Sequence, residues 1–303
     1  MGPADLIVGA IDLGTNTTRL LVAAVEDGRL DELHRETRIT RLGEGVDARG
    51  RLLPVPIARV RNSLSDYRRT AESLGAERTL LVATSAVRDA ENGEAFLGEI
   101  EWSYGFVTQL LSGGEEAELT RRGVGELRAA TLLVDIGGGS TELVLDDFHT
   151  SLPVGSVRFT ERHGEDVEAS IEAARELLPE LAPEDAVGVA ATITSLAALD
   201  LGLEQYDRER VHGHVLTREG ARAQLERLAG MPLEERRFVP ALDPERAPVI
   251  VAGAAILVAI LDAYGLEAIR VSERDLLDGA AMAAAELPEP EEGAAPPGAY
   301  TCC

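Results

Sequence analysis

Two apolar, β-branched-rich runs, Leu6 to Ile11 and Thr18 to Val25, flank the segment DLGTNT, a pattern that predicts two strands joined by a turn. The pattern recurs later, where Thr131 to Ile136 and Thr141 to Leu145 flank DIGGGS. Aligning the segments pairs Asp12 with Asp135, Gly14 with Gly137, Thr17 with Ser140, Thr18 with Thr141 and Leu20 with Leu143, so the chain carries an internal repeat. Between the repeats, Leu52 to Leu74 and Glu91 to Ile100 have helical spacing, while Arg78 to Ala83 and Phe106 to Leu111 read as strands. Beyond the second hairpin, helices are expected over Val167 to Leu181, Thr217 to Leu228 and Pro248 to Tyr264. Strands are expected there over Ala186 to Ala191 and Ala268 to Val271. Strands mixed with helices in this way predict an α/β fold, with sheets covered by helices.

Length and composition turn the repeat into a two-domain expectation. The chain has 303 residues, 45% of them hydrophobic, enough for two ordinary cores. The stretch from Leu287 onward contains PEPEEGAAPPG and reads as a disordered tail. The expected division is therefore 1–125, 126–287 and a tail at 288–303. The longest apolar stretch, Val249 to Leu261, is too short to span a bilayer and reads as a buried helix. No basic leader precedes it at the N-terminus, and the only cysteines, Cys302 and Cys303, are adjacent at the extreme end. These features predict a reducing, cytoplasmic setting.

Charge removes further classes. A formal net charge of -24 argues against nucleic acid and against an anionic membrane as partners. The chain contains no lysine, so a P-loop, a Schiff base and a lysine general base are all excluded. A polyanionic ligand must be held by local donors and a metal.

The hairpin loops can supply those donors. In D-x-G-x-x-[ST] the glycine lets backbone N–H groups approach an anion, the hydroxyl adds a donor, and the aspartate is placed to hold hydrated Mg²⁺. A single copy is also an ordinary turn. Two copies suggest two loops gripping one phosphate chain across a cleft between domains. In LSGGEEAEL, Ser112 and Glu115 form the S-x-x-E of a capping box, which leaves Glu116 as the better candidate for a base acting on water. Arg88, after a strand end, and Arg41, in TRLGEG, can each stabilise charge on a transferring phosphoryl group. His212 and His214 have strand-like spacing, lack further ligands nearby, and read as structural.

In the order IDLGTNTTRLLV, TRLGEGVD, ATSAVRDAENG, LSGGEEAEL, DIGGGSTEL, LPVGSVRFTE, ATITSLAAL and VHGHVLT, the chain resembles the exopolyphosphatase/guanosine pentaphosphatase (Ppx/GppA) family from about Leu6 to Leu287. The resemblance implies two actin-like (ribonuclease H-like, ASKHA) domains with a cleft between them. It also implies hydrolysis of the terminal phosphate of inorganic polyphosphate or of guanosine pentaphosphate, with Mg²⁺ or Mn²⁺, a monovalent cation such as K⁺ as an additional cofactor, and commonly a homodimer. By the same resemblance the catalytic glutamate falls on Glu116 and the metal-binding aspartate on Asp135, with Asp12 and Glu142 as further metal candidates. Phosphate-binding positions fall on Gly14, Thr15, Asn16, Thr17, Arg88, Gly137, Gly138, Gly139 and Ser140.

Two signatures depart from the family pattern. The usual G-x-x-G-T is GVAAT, with Ala191 at a glycine position, and the usual S-x-R-G-L-R-E-G is SERDLLDG, with Asp275 at a glycine and Leu277 at an arginine. Loss of that arginine implies a lost phosphate contact. Together with the absence of further helical domains, it leads to an expected preference for short polyphosphate. Competing expectations are a guanosine pentaphosphate hydrolase, a non-catalytic phosphate or nucleotide sensor, and an ATPase or sugar kinase.

Overall fold

Strand β1 (Leu6–Leu13) is an almost unbroken apolar run because both of its faces are covered: Ile11 and Leu13 enter one buried cluster, Val8 and Ala10 another. The structure, a computed structural model, describes residues 6–26 and 28–288. β1 pairs antiparallel with β2 (Thr17–Glu26), and β2 with β3 (Arg29–Ile39). On its other side β1 runs parallel to β4 (Arg78–Ala83), which pairs with β5 (Val107–Leu110), giving the order β3-β2-β1-β4-β5. This is the ribonuclease H-like order that the resemblance implied.

The chain divides into two compact units, 1–124 with 276–303, and 125–275. The second crossing corrects the expected division, which placed everything up to 287 in the second unit. Its cause is the exposed face that β1 would otherwise keep. Helices Pro54–Ser73 and Gly93–Tyr104 cover one face of the first sheet through Val60, Leu64, Tyr67, Phe96 and Ile100. The opposite face is covered by the helix Leu276–Ala285, through Leu276, Leu277, Ala280, Ala281 and Ala284. That helix is further tied by Arg35 to Asp278 (2.9 Å) and by Arg122 to Glu286 (2.6 and 2.9 Å). Leu287, where the tail was expected to begin, still packs on the first unit, and its carbonyl accepts from Arg78. Residues 289–303, with Cys302 and Cys303, lie outside the described residues.

The second unit repeats the plan. β6 (Thr131–Ile136), β7 (Thr141–Leu145) and β8 (Phe148–Leu152) form an antiparallel meander, and β9 (Asp185–Val189) runs parallel to β6. With β10 (Val215–Thr217) and β11 (Ala268–Val271) the order is β10-β11-β9-β6-β7-β8. The helix Ile250–Ala263 is buried at every position from Ile250 to Leu261, which is why its sequence is apolar all round. No helix among the described residues is long and apolar enough to cross a membrane.

Differences from the expected elements have local causes. The helix begun at Val167 stops at Leu177 because Leu178, held extended, precedes Pro179. The strand expected to reach Ala191 ends at Val189, and Ala190 opens the next helix in the left-handed region, at a φ of 66°. β3 was not anticipated: it is a polar, half-exposed edge strand with no alternation to reveal it.

The last helix crosses the helix Gly113–Val124 at its own Gly279, where a Cβ would meet the Leu119 carbonyl oxygen at 1.9 Å. Gly279→Ala is therefore expected to destabilise the protein by about 1–3 kcal/mol in urea unfolding. Gly98→Ala, with nothing within 4 Å of the added carbon in its helix, should be neutral or stabilising by up to ~1 kcal/mol.

Candidate functional site

The two repeated loops close in the same way. The Gly14 N–H donates to the Thr17 carbonyl at 2.9 Å, and the Gly137 N–H to the Ser140 carbonyl at 3.0 Å. A Cβ on either glycine would lie 3.1 Å from that same carbonyl. Neither glycine has a positive φ, so close approach and not handedness sets the residue type.

Each loop is held from behind by the segment that follows the third strand of its meander. In the first unit the Thr15 carbonyl accepts from Gly43 N–H (2.8 Å), and the Asn16 carbonyl from Thr40 and Arg41 N–H (3.1 and 2.9 Å). In the second unit the Gly137 carbonyl accepts from Ser156 N–H (3.0 Å), and the Gly138 carbonyl from Val157 and Arg158 N–H (2.8 and 3.1 Å). Arg158 Nε completes the set on the Gly139 carbonyl at 2.7 Å. Among the described residues, no protein acceptor takes the N–H groups of Thr15 and Asn16, or of Gly138, Gly139 and Ser140. Carbonyls engaged behind and N–H groups left in front make a nest for an anion. The clamps were missed as clamps, although both contain a glycine aligned against its loop. A Cβ on Gly43 would strike Thr15 Cγ2 at 2.2 Å, and one on Gly155 the Gly138 carbonyl oxygen at 2.4 Å.

Glu116 and Arg88 come together in the first unit. Parallel pairing aligns Leu13 with Ala83 and Ala83 with Leu110, so the loop after β1, the turn after β4 and the helix after β5 all leave from one end of the sheet. This is where α/β sheets bind ligands. The expected capping box is present: Glu115 accepts from the Ser112 backbone N–H (2.8 Å) and hydroxyl (2.7 Å), and donates its own N–H to Ser112 Oγ (3.3 Å). Donation from the Ser112 hydroxyl, and then from its backbone, holds the Glu115 carboxyl below its ordinary range. One residue on, the helix turns inward and Glu116 is buried. Its Oε2 accepts from Arg88 Nη1 at 3.1 Å, and the same nitrogen donates to the Leu111 carbonyl at 2.8 Å. Arg88 thus orients Glu116 with one nitrogen, and its remaining nitrogens have no acceptor among the described residues.

The carboxylates differ between the units. Asp135 faces Glu142 directly across β6 and β7, both buried, and Ser151 Oγ donates to Glu142 at 2.7 Å. Asp12, at the equivalent position, faces Arg19. Among the described residues no group of three or more His, Cys, Asp or Glu side chains could hold a metal ion. A pair of carboxylates still fits Mg²⁺ or Mn²⁺, because such ions keep several waters and take one or two carboxylates together with substrate phosphates.

The Ppx/GppA phosphatase family model matches residues 21–286. The chain belongs to this family. It is similar to exopolyphosphatase 2 of Mycobacterium tuberculosis, with 38% identity over 92% of this chain and 98% of that protein. Among solved structures, an exopolyphosphatase-like protein superposes with a TM-score of 0.83 at 32% identity, over 90% of this chain and 97% of the other. The Ppx/GppA family member of Aquifex aeolicus gives a TM-score of 0.76 at 29% identity, over 92% and 97%.

Against the Ppx/GppA pattern, the structure revises what the departures imply. Leu277, at an arginine position, is fully buried on the Val8 and Ala10 face of the first sheet, so in this chain the position serves packing. Neither Asp275 nor Ala191 has the positive φ that would demand glycine; the left-handed residue is the neighbouring Ala190. Arg41 has a φ of 50°, and its backbone N–H is one of the three that clamp the first loop. His212 and His214 lie before β10 and not on it. His214 Nε2 is paired with Asp200 Oδ2 at 2.8 Å, and His212 Nδ1 accepts from the Glu273 N–H at 3.2 Å.

Two outcomes follow. The folded carboxyl of Glu115 is lowered, so its contribution to stability is complete above the ordinary carboxylate range and is lost as pH falls through the folded value. Glu115→Ala should cost about 1 kcal/mol at neutral pH, and the difference from the parent protein should shrink as pH falls into the acid range where the carboxyl protonates, as read by urea unfolding at several pH values. Gly155→Ala, which drives a methyl into the Gly138 carbonyl, should weaken phosphate binding by calorimetry more than the exposed-site control Gly98→Ala does.

Proposed function

We propose that this chain is an exopolyphosphatase, removing the terminal phosphate of inorganic polyphosphate by attack of water. The observation that carries the reading is the buried Glu116, fixed by Arg88 at one end of the first sheet, in a family of phosphatases. Glu116 accepts a proton from water as the water oxygen attacks the terminal phosphorus, and the bond from that phosphorus to the bridging oxygen breaks. The nitrogens of Arg88 not engaged by Glu116 or Leu111 donate to the phosphate oxygens as charge develops. The N–H groups of the first loop, in the same unit as Glu116, hold phosphate oxygens and position them. Asp135 and Glu142 would hold Mg²⁺ or Mn²⁺, which when bound neutralises charge on the phosphate oxygens.

Polyphosphate is favoured over guanosine pentaphosphate because exopolyphosphatase 2 matches almost end to end. A monovalent cation, a homodimer and a cytoplasmic location belong to the same reading. The test is phosphate release with Mg²⁺ from polyphosphates of several lengths, guanosine pentaphosphate and ATP. Glu116→Gln should lower kcat by at least about 10²-fold and leave KM within a few-fold. Retained turnover would move the base elsewhere, release from guanosine pentaphosphate alone would reverse the substrate preference, and no release from any substrate would favour a sensor.

A further inference from the structure

The helix that carries Glu116 meets the last helix through its backbone. Glu116, Ala117, Thr120 and Gly123 are the buried residues of the helix Gly113–Val124, a single stripe along it. The Glu116 N–H donates to the Ser112 carbonyl at 3.0 Å, and the Glu116 carbonyl accepts from Thr120 Oγ1 at 2.9 Å, so Glu116 moves with its helix. Leu119 lies three residues on, about 4.5 Å along the helix axis.

Gly279 occupies the interior of the helix Leu276–Ala285, where glycine is disfavoured unless contact demands it. A Cβ there would lie 1.9 Å from the Leu119 carbonyl oxygen, 2.7 Å from its carbon and 3.2 Å from Leu119 Cα, backbone atoms that cannot swing aside as a side chain can. The last helix has little room to retreat. Leu277, Ala280, Ala281 and Ala284 are fully buried in the cluster that contains Val8 and Ala10 of β1, and Arg35 holds Asp278 at 2.9 Å. Arg122 grips Glu286 at 2.6 and 2.9 Å and keeps the two helices together. Volume added at Gly279 is therefore passed to the helix Gly113–Val124, and one helical turn passes it on to Glu116. A base acts only within hydrogen-bond reach of its proton, and the 3.1 Å bond from Arg88 Nη1 to Glu116 depends on the same placement. Taking Glu116 as the base of the phosphatase reading above, we propose that Gly279 is a positioning residue for it: the glycine seats the last helix on the Leu119 carbonyl and so sets how far the Glu116 carboxylate reaches toward Arg88 and the attacking water.

The test is phosphate release from polyphosphate by the full chain, at a temperature where circular dichroism shows each variant folded. Gly279→Ala should lower kcat at least about tenfold and leave KM within a few-fold. Gly9→Ala is the control for overpacking alone: its Cβ would lie 2.7 Å from Thr79 Oγ1, in the same sheet but toward the end away from the loop, and it should keep kcat within about twofold. In the Glu116→Gln background, where the group acted upon is gone, adding Gly279→Ala should change the residual turnover by less than about twofold. An undiminished kcat in Gly279→Ala would overturn the proposal, as would the same loss in both backgrounds, which is what damage unrelated to Glu116 would give. If Gly279→Ala does not fold, Glu286→Arg, an exposed change that sets two guanidinium groups against each other, should lower kcat at least about threefold, and an unchanged kcat there would overturn it. Hydrogen exchange read by mass spectrometry needs no turnover: Gly279→Ala should speed exchange over Gly113–Thr120 at least about threefold, and Gly9→Ala should not. A chain that releases no phosphate but shows this coupling would fail the phosphatase reading alone, and unchanged exchange would fail the coupling.

Discussion

Backbone carbonyls that would otherwise point at an anion are turned away in both hairpin loops, and much of each unit is arranged around keeping them so. A short loop offers oxygens as readily as N–H groups, and an oxygen facing a phosphate is repulsive. In the first unit the oxygens of Thr15 and Asn16 are engaged by residues 40–43, and in the second those of Gly137, Gly138 and Gly139 are engaged by residues 156–158. The third strand of each meander delivers that segment to the back of the loop. Gly43 and Gly155 follow from the same requirement, because contact this close leaves no room for a side chain. Arg41 accepts a left-handed backbone there, at a cost on the order of 1–2 kcal/mol that the clamp's hydrogen bonds offset.

That arrangement resolves an apparent conflict in the composition. A chain of net charge -24 must repel polyphosphate at long range, more weakly as salt screens it. Attraction at short range is available from the oriented N–H groups of the loops. The absence of lysine fits this mode. Arginine can divide its nitrogens among several acceptors, and Arg88 engages both Glu116 and the Leu111 carbonyl with one of them.

The strands of the two hairpins, the repeat and the capping box were legible in the sequence because each depends on short-range pattern. Ser112 and Glu115 are three residues apart, and their reciprocal bonds need nothing else. Arg88 and Glu116 were legible as candidates but not as a pair, since 28 residues separate them and only parallel pairing of β4 with β5 joins them. β3 stayed hidden because an exposed edge strand has no apolar face to mark it. The charge reversal at Arg19 and Glu142 was present in the alignment of the repeat, one residue beyond the matched threonines. It acquires meaning only from the register that sets each opposite an aspartate.

Leu277 shows how a local reading fails when the constraint is non-local. Judged by motif it is a missing arginine and a lost phosphate contact. In the fold it is a fully buried side chain on the Val8 and Ala10 face of β1. The last helix covers that face, and it does so while lying against the helix that carries Glu116, with Gly279 set on the Leu119 carbonyl and Arg122 bound to Glu286. Leu119 is one helical turn from Glu116. The orientation of the candidate base is thus fixed by two devices of different origin: a hydrogen bond from Arg88 on one side, and on the other the packing of residues that enter the chain last. A substitution that leaves every polar contact of Glu116 intact can still displace it through that second route.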